Sequence, residues 1–339
     1  MTRRIFWIDY AKGFTIFIVV LAHACGQMNN NLKIGNPVLL ELIRILMYFS
    51  FLFIMPVFFA LSGYLFKPVK NFNEYKLITI KKCVTLGIPY IVFSLLLYGI
   101  SLATGMHIDG INGLLSLVFI FIKPFSYLWF LLALLYIFIF INFCFLIKIS
   151  IRAQITICFV LGFIQTLIFS NGDCMSQFFI WSLCFYIGFL LKKFNLLNRM
   201  NTKIVFNLLV VISLFIVIQL YWDKSWYEHA NGFNLLNLLP KLLGIFLFFY
   251  WYKKTPKNSF TLYFTKYGKI SLAIYLLHFP LISIIRRGLE LVSISNPIVI
   301  FLLCLILSWY GSIWCQKILN KLKPLDFIIF PNRYLKGRL

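Results

Sequence analysis

The sequence predicts an all-α integral membrane protein, a polytopic bundle of about ten transmembrane helices with both termini in the cytoplasm. Three observations carry that expectation. The chain is 62% hydrophobic and only 12% charged, with 39 Phe. Apolar stretches recur at membrane-crossing lengths, and the basic residues fall between them on alternate segments. A soluble chain carries roughly a quarter of its residues charged. This one has too few polar side chains to cover its apolar surface, so lipid must cover it. The net charge of +23 would suggest nucleic acid in a soluble protein. Here the charges sit in short clusters between apolar runs and read as topogenic, so no nucleic-acid partner is expected.

The apolar stretches run over 7–26, 42–66, 84–103, 127–147, 154–170, 175–191, 204–221, 234–252, 269–288 and 296–316. Each is long enough to cross about 30 Å of hydrocarbon as a helix. The stretch 111–122 stops at Lys123-Pro124 and is short for a span, so it reads as re-entrant or interfacial. With the N-terminus inside, 24 of the 32 basic residues fall on inner segments, in clusters such as Lys76, Lys81 and Lys82. The outer segments hold Lys33, Arg44, Lys123, Lys224, Lys241, Arg286 and Arg287, and Lys12 lies in the first span. That asymmetry is the positive-inside pattern, and making 111–122 a full span would spoil it. The start superficially resembles a signal peptide, but Asp9 and Lys12 interrupt its apolar region, so an uncleaved first helix is expected. No soluble domain, linker or repeat of fixed period divides the chain, which reads as one integral membrane domain over 1–339.

Ionisable groups inside a membrane are costly and usually face an internal cavity. The first span holds Asp9, Lys12 and His23. Asp9 and Lys12 are three residues apart, close enough to pair. Lys12 and His23 are eleven apart, about 1100° of rotation, so they share one face within about 20° and are separated by about 16 Å. Snorkelling would explain Lys12 alone, and a packing hydrogen bond would explain His23 alone. Their alignment favours a shared function. The eight cysteines show no metal-ligand spacing, and most lie in apolar runs as small hydrophobes, so no metal site is expected.

The segment from Trp7 to His23, WIDYAKGFTIFIVVLAH, resembles the opening of the membrane-bound acyltransferase family 3, and most nearly its fucose 4-O-acetylase-like branch. Arg or Lys, ten residues, then His is that family's signature, and Lys12 to His23 has its spacing. Met55 to Phe66 (MPVFFALSGYLF) resembles the second-helix motif. Lys81-Lys82 followed by Ile88-Pro89-Tyr90 resembles the basic loop and third-helix start. Trp129 to Leu134 and Ile274 to Pro280 are similar to two later motifs. Lys replaces the Arg common at position 12, and a point charge binds phosphate less specifically than a guanidinium fork.

The resemblance implies an O-acyltransferase, an acetyltransferase in the first instance. It would move an acyl group from acetyl-CoA or another acyl-CoA to a hydroxyl of a cell-surface or lipid-linked glycan, in a bacterial inner membrane. Such transfer needs a base for the hydroxyl proton and donors for the developing oxyanion. His23 suits the first role. Cys25 lies about 200° round the helix from it, and no GxSxG elbow occurs, so direct transfer is favoured over a covalent intermediate. Lys12, Lys81 and Lys82 are candidates for the phosphates of the donor, although loop lysines are also topogenic. Trp129 stacks on a sugar or belongs to the interfacial aromatic belt. His278 is either a packing residue or a second active-site residue. Arg44 with Glu41 is an interfacial pair or an acceptor contact, and Asp9 joins these acceptor-binding candidates. Arg286, Arg287 and Glu290 read as solvent-facing or headgroup residues. The competing class is a transporter or flippase of a lipid-linked glycan. No evident repeat halves or matched pair of broken helices supports it.

Overall fold

The computed structural model describes residues 4–29, 37–168, 177–223, 232–323, 325–331 and 334. Lys33 and Lys224 lie outside the described residues, whose regular elements are helices, with no strand among them. In chain order the helices begin with α1 (Phe6–Asn29), α2 (Pro37–Tyr64), α3 (Phe72–Lys82) and α4 (Ile88–Thr104). They continue with α5 (Trp129–Leu146), α6 (Ile151–Ile168), α7 (Phe178–Lys193), α8 (Leu196–Arg199) and α9 (Thr202–Trp222). The last four are α10 (Leu235–Lys254), α11 (Ser259–Gly268), α12 (Ser271–Leu291) and α13 (Pro297–Lys321).

Among the described residues nine helical runs are long and apolar enough to cross a membrane, and they coincide with nine of the ten expected spans. The expected span 175–191 is α7, which has 16 residues. Residues 169–176, just before it, lie outside the described set. The architecture is that of a polytopic membrane helix bundle.

Packing groups the helices into two compact units, Met1–Phe66 with Ile155–Ser271, and Lys67–Gln154 with Leu272–Leu339. In the first unit α1 packs on α11, α2 and α10, while α2 also packs on α7 and α10, and α9 on α10. Lipid tails are as apolar as leucine, so helices in a bilayer gain by close backbone approach at small residues. Glycines supply it here. A Cβ on Gly63 of α2 would run into the Phe185 carbonyl of α7, and one on Gly188 would run into the Ala60 carbonyl. Gly63 belongs to the Ser62-Gly63 pair of the second-helix motif, so its role is close approach. Gly13 of α1 and Gly268 of α11 make a second crossing, Gly13 over the Phe264 carbonyl and Gly268 over the Asp9 carbonyl.

Helix starts in this unit are fixed by asparagine caps. Asn201, Asn234 and Asn258 accept from the amides of Ile204, Asn237 and Thr261 at 2.9, 2.8 and 2.9 Å. α9 buries only Ile212, Ile216 and Gln219, one stripe at helical spacing. The two isoleucines pack on Tyr48 and Leu52, and the Tyr48 hydroxyl donates to Gln219 Oε1 at 2.7 Å. Lys241, expected on an outer segment, is fully buried in α10. Its ammonium bonds the Gly232 carbonyl and stands 4.7 Å from the centre of the Phe233 ring.

In the second unit the basic segment expected as a loop is a helix. Asn71 caps α3 by accepting from the Glu74 amide at 2.9 Å, and Glu74 in turn accepts from the Lys70 amide at 2.9 Å. α3 buries none of its residues and continues through one π turn, Cys83–Gly87, into α4. The segment 111–122 forms a single 3-10 turn at Leu114–Leu117 and further turns, with no span. It is held by the Tyr90 hydroxyl on the Ile120 carbonyl and the Tyr136 hydroxyl on the Phe121 carbonyl. Leu114, Leu115 and Ile122 remain exposed, which suits an interfacial segment.

Candidate functional site

The candidate site is built on α1. Between Lys12 and His23, on the same side of the helix, Ile16 and Val19 are buried, and Ile8 continues the line one turn earlier. The face that carries the two ionisable groups is therefore a buried one. Lys12, His23 and Asp9 are each half-buried. The His23 ring meets Phe51 of α2 edge-on, with centroids 6.2 Å apart and planes at 82°. Asp9 and Arg4 lie within electrostatic reach of Lys12. Asp9 and Lys12 do not, however, form the direct ion pair that their spacing allows. Asp9 instead sits where Gly268 presses α11 onto its backbone carbonyl.

The other flank of α1 is apolar. Tyr10 and Phe14 join Trp251 and Tyr252 of α10 and Phe260 of α11 in an edge-to-face aromatic cluster. Tyr252 also shares a 2.9 Å hydrogen bond with Thr15, which donates to the Ala11 carbonyl at 2.6 Å. Beside this cluster a cleft of about 270 Å³ opens between α1, α2 and α10, lined by Phe14, Ile18, Leu21, Phe49, Phe53 and neighbours. Neither Lys12 nor His23 lines it. Arg44, in the same unit, pairs with Glu41 at 2.8 Å, with the Glu41 side chain half exposed. The pairing that the sequence allowed is thus present.

Four site candidates belong to the second unit. Lys81 is exposed at the end of α3, and Lys82 turns its ammonium onto the Phe138 ring of α5, 3.5 Å from the centroid. Trp129 begins α5 half-buried and packs edge-on to Phe130 at 6.3 Å.

His278 is fully buried in α12. Its Nδ1 lies 2.7 Å from the Tyr275 carbonyl and 3.1 Å from that of Ile274. Carbonyls only accept, so Nδ1 carries the proton and Nε2 is the basic nitrogen. Tyr127 lies beside His278 with ring centroids 5.2 Å apart, and Tyr275 and Phe279 flank it at 5.9 and 6.5 Å. Tyr127 and α12 are tied reciprocally. The Tyr127 hydroxyl donates to the Leu276 carbonyl at 2.7 Å, and the Tyr275 hydroxyl bonds the Tyr127 carbonyl. Sequence reading passed over Tyr127 for its neighbour Trp129. Tyr127 lies in the 3-10 turn Ser126–Leu128 and is buried, whereas Trp129 starts α5 half-buried.

Arg286 corrects a second expectation. It is 4% exposed, and its side chain is covered by protein instead of reaching solvent or headgroups. Arg287 and Glu290 stay partly exposed at 44% and 33%.

One lysine and one histidine set on a buried face of a single membrane helix can do two chemically distinct things. It can place a fixed positive charge at one depth, and an imidazole able to take a proton at another, about 16 Å away. No curated protein and no solved structure matches the chain. The family model described as an acyltransferase domain does match, and it covers residues 5–317. With that match over nearly its whole length, the chain belongs to acyltransferase family 3.

Proposed function

We propose that this membrane acyltransferase is an O-acyltransferase. It takes an acyl group, acetyl in the simplest case, from acyl-coenzyme A and places it on a hydroxyl of a cell-surface or lipid-linked glycan. The observation that carries the reading is the alignment of Lys12 and His23 on one buried face of α1 in a chain of this family.

His23 takes the proton of the acceptor hydroxyl as its oxygen attacks the thioester carbonyl. The new C–O bond forms, the C–S bond of the resulting tetrahedral species breaks, and coenzyme A leaves as thiolate to receive a proton. Lys12 supplies a fixed positive charge about three turns of helix away, suited to an anionic part of the donor. Lys81, exposed on α3, is the second lysine suited to donor phosphates. Lys82 is engaged with Phe138 and contributes less. Arg44 and Trp129 are the candidates for contact with the glycan. Asp9 lies within electrostatic reach of Lys12 and partly offsets its charge. His278 is buried behind Tyr127 and acts through packing.

In this reading the donor enters from the cytoplasm of a bacterium, the side that holds both termini, and the chain resides in the plasma membrane. The test is mass spectrometry of surface glycans from cells with the intact gene, without it, and with His23→Ala. An acyl mass increment present only with the intact gene supports the reading, and its size names the acyl group. Full acylation by His23→Ala at normal membrane levels removes His23 as the base. Unchanged acylation with accumulation of an unmodified lipid-linked glycan in the deletion points to transport instead.

A further inference from the structure

The second unit contains a cation that the proposed reaction does not use. The Arg286 side chain is 5% exposed, on the protein-facing side of α12. Its Nε lies 3.1 Å from Glu290 Oε1 but off the N–H direction. Neither Nε nor Nη1 meets an acceptor among the described residues. Glu290 is also not Arg286's alone, since its other oxygen accepts from Arg287 Nη1 at 3.1 Å. Two guanidinium groups therefore share one carboxylate. The thiol of Cys304 on α13 lies within electrostatic reach of Arg286, and it is buried and brings no compensating charge.

A buried charge left short of partners is strongly destabilising, and a buried donor left unmade costs its full desolvation. A lysine or arginine near the end of a membrane helix ordinarily relieves this by snorkelling into the headgroups. Arg286 does not, because protein covers it. It is also placed well to meet one kind of anion. It stands five residues before Leu291, the last residue of α12, or about 8 Å along the axis. That puts it near the layer where a bilayer carries its phosphates. Guanidinium binds phosphate through paired N–H donors, more specifically than an ammonium does.

We propose that Arg286, flanked by Arg287 and Glu290, is a built phosphate-binding site that completes the charge balance of α12. The phosphate belongs either to an anionic lipid headgroup or to a phosphorylated ligand arriving from solution. The site stands independently of the acyl transfer, since it rests only on residues of α12 and α13.

The test uses the full-length protein in phosphatidylcholine nanodiscs, with melting temperature as the readout. Two probes separate the sources, phosphatidylglycerol mixed into the discs and inorganic pyrophosphate added to the buffer. A rise of about 3 °C or more is expected with at least one of them. Arg286→Gln should lose the rise, and Arg287→Gln, whose side chain is 44% exposed, should keep most of it. Glu290→Gln removes the competing carboxylate and should give the rise at a lower probe concentration. A response to phosphatidylglycerol alone assigns the site to a lipid headgroup, and a response to pyrophosphate assigns it to a soluble phosphate. No rise with either probe overturns the proposal. Equal loss in Arg286→Gln and Arg287→Gln also overturns it, since that marks general surface attraction. If Arg286→Gln fails to fold, Arg286→Lys carries the same test. It keeps the charge but loses the fork, and half-maximal stabilisation should need at least about tenfold more probe.

Discussion

Gly13 of α1 and Gly268 of α11 face each other so closely that neither has room for a side-chain carbon. The obstacles are the backbone carbonyls of Phe264 and Asp9. Main chain cannot move aside as a side-chain tip can. Gly268→Ala should therefore cost at least the 1–3 kcal/mol typical of overpacking, and it should displace the turn that carries Asp9 and Lys12. Gly99 on α4 is the control, because a Cβ there meets nothing within 4 Å. Gly99→Ala should be neutral or stabilising by about 0.5–1 kcal/mol. Melting temperatures of the two variants in detergent check the pair, and equal stabilities would refute the crossing.

Lys12 gives a kinetic prediction. Lys12→Gln should raise the KM for acyl-coenzyme A about tenfold or more, because a charge-assisted hydrogen bond contributes about 1.5–3 kcal/mol. Lys12→Arg keeps the charge and should stay near the parent. The measurement is donor titration at saturating acceptor. A fall in kcat with unchanged KM would place Lys12 in the chemical step instead.

Tyr48 and Gln219 join α2 to α9 through a 2.7 Å hydrogen bond inside the bilayer. Membrane hydrogen bonds measured by double-mutant cycles average about 0.6 kcal/mol and reach about 1.7. A cycle of Tyr48→Phe and Gln219→Leu should give a coupling in that range by unfolding in mixed micelles. Additive effects would show that the two residues stabilise their helices separately.

Tyr127→Phe removes the hydroxyl that donates to the Leu276 carbonyl while leaving the ring against His278. It should lower stability by about 1 kcal/mol. Tyr127→Ala also removes the ring and should cost about 3–5 kcal/mol, with the larger loss read in the same melting experiment.

Length and apolarity made the spans legible, because any helix that crosses about 30 Å of hydrocarbon needs roughly twenty apolar residues. The line from Lys12 to His23 was legible for a similar reason, since helical periodicity converts a spacing of eleven into one face. Shorter elements left no such mark. The helix α11 has ten residues of mixed aromatic and polar character, and only its packing on α1 shows why Gly268 is glycine. α3 read as a loop because its lysines match a loop's composition as well as an exposed helix face. Arg286 misled for a different reason. Position along the chain gave its depth, but which way a side chain turns depends on the neighbours that cover it.

The contrast between α9 and α12 bears on how the chain enters the bilayer during synthesis. Apart from Lys203 in its first turn, α9 has no charged residue, and it touches the protein along a single stripe. Such a segment is apolar enough to partition into lipid without help from its α10 contact. α12 carries His278, Arg286, Arg287 and Glu290. Each charge near a helix centre raises the cost of insertion, so this segment crosses unaided only with difficulty. It is held in place by what surrounds it: the bonds to Tyr127 on one stretch, and the cover over Arg286 on the other. Tyr127 lies before α5, so it is already made when α12 emerges, and α12 depends on this earlier part of the chain where α9 does not.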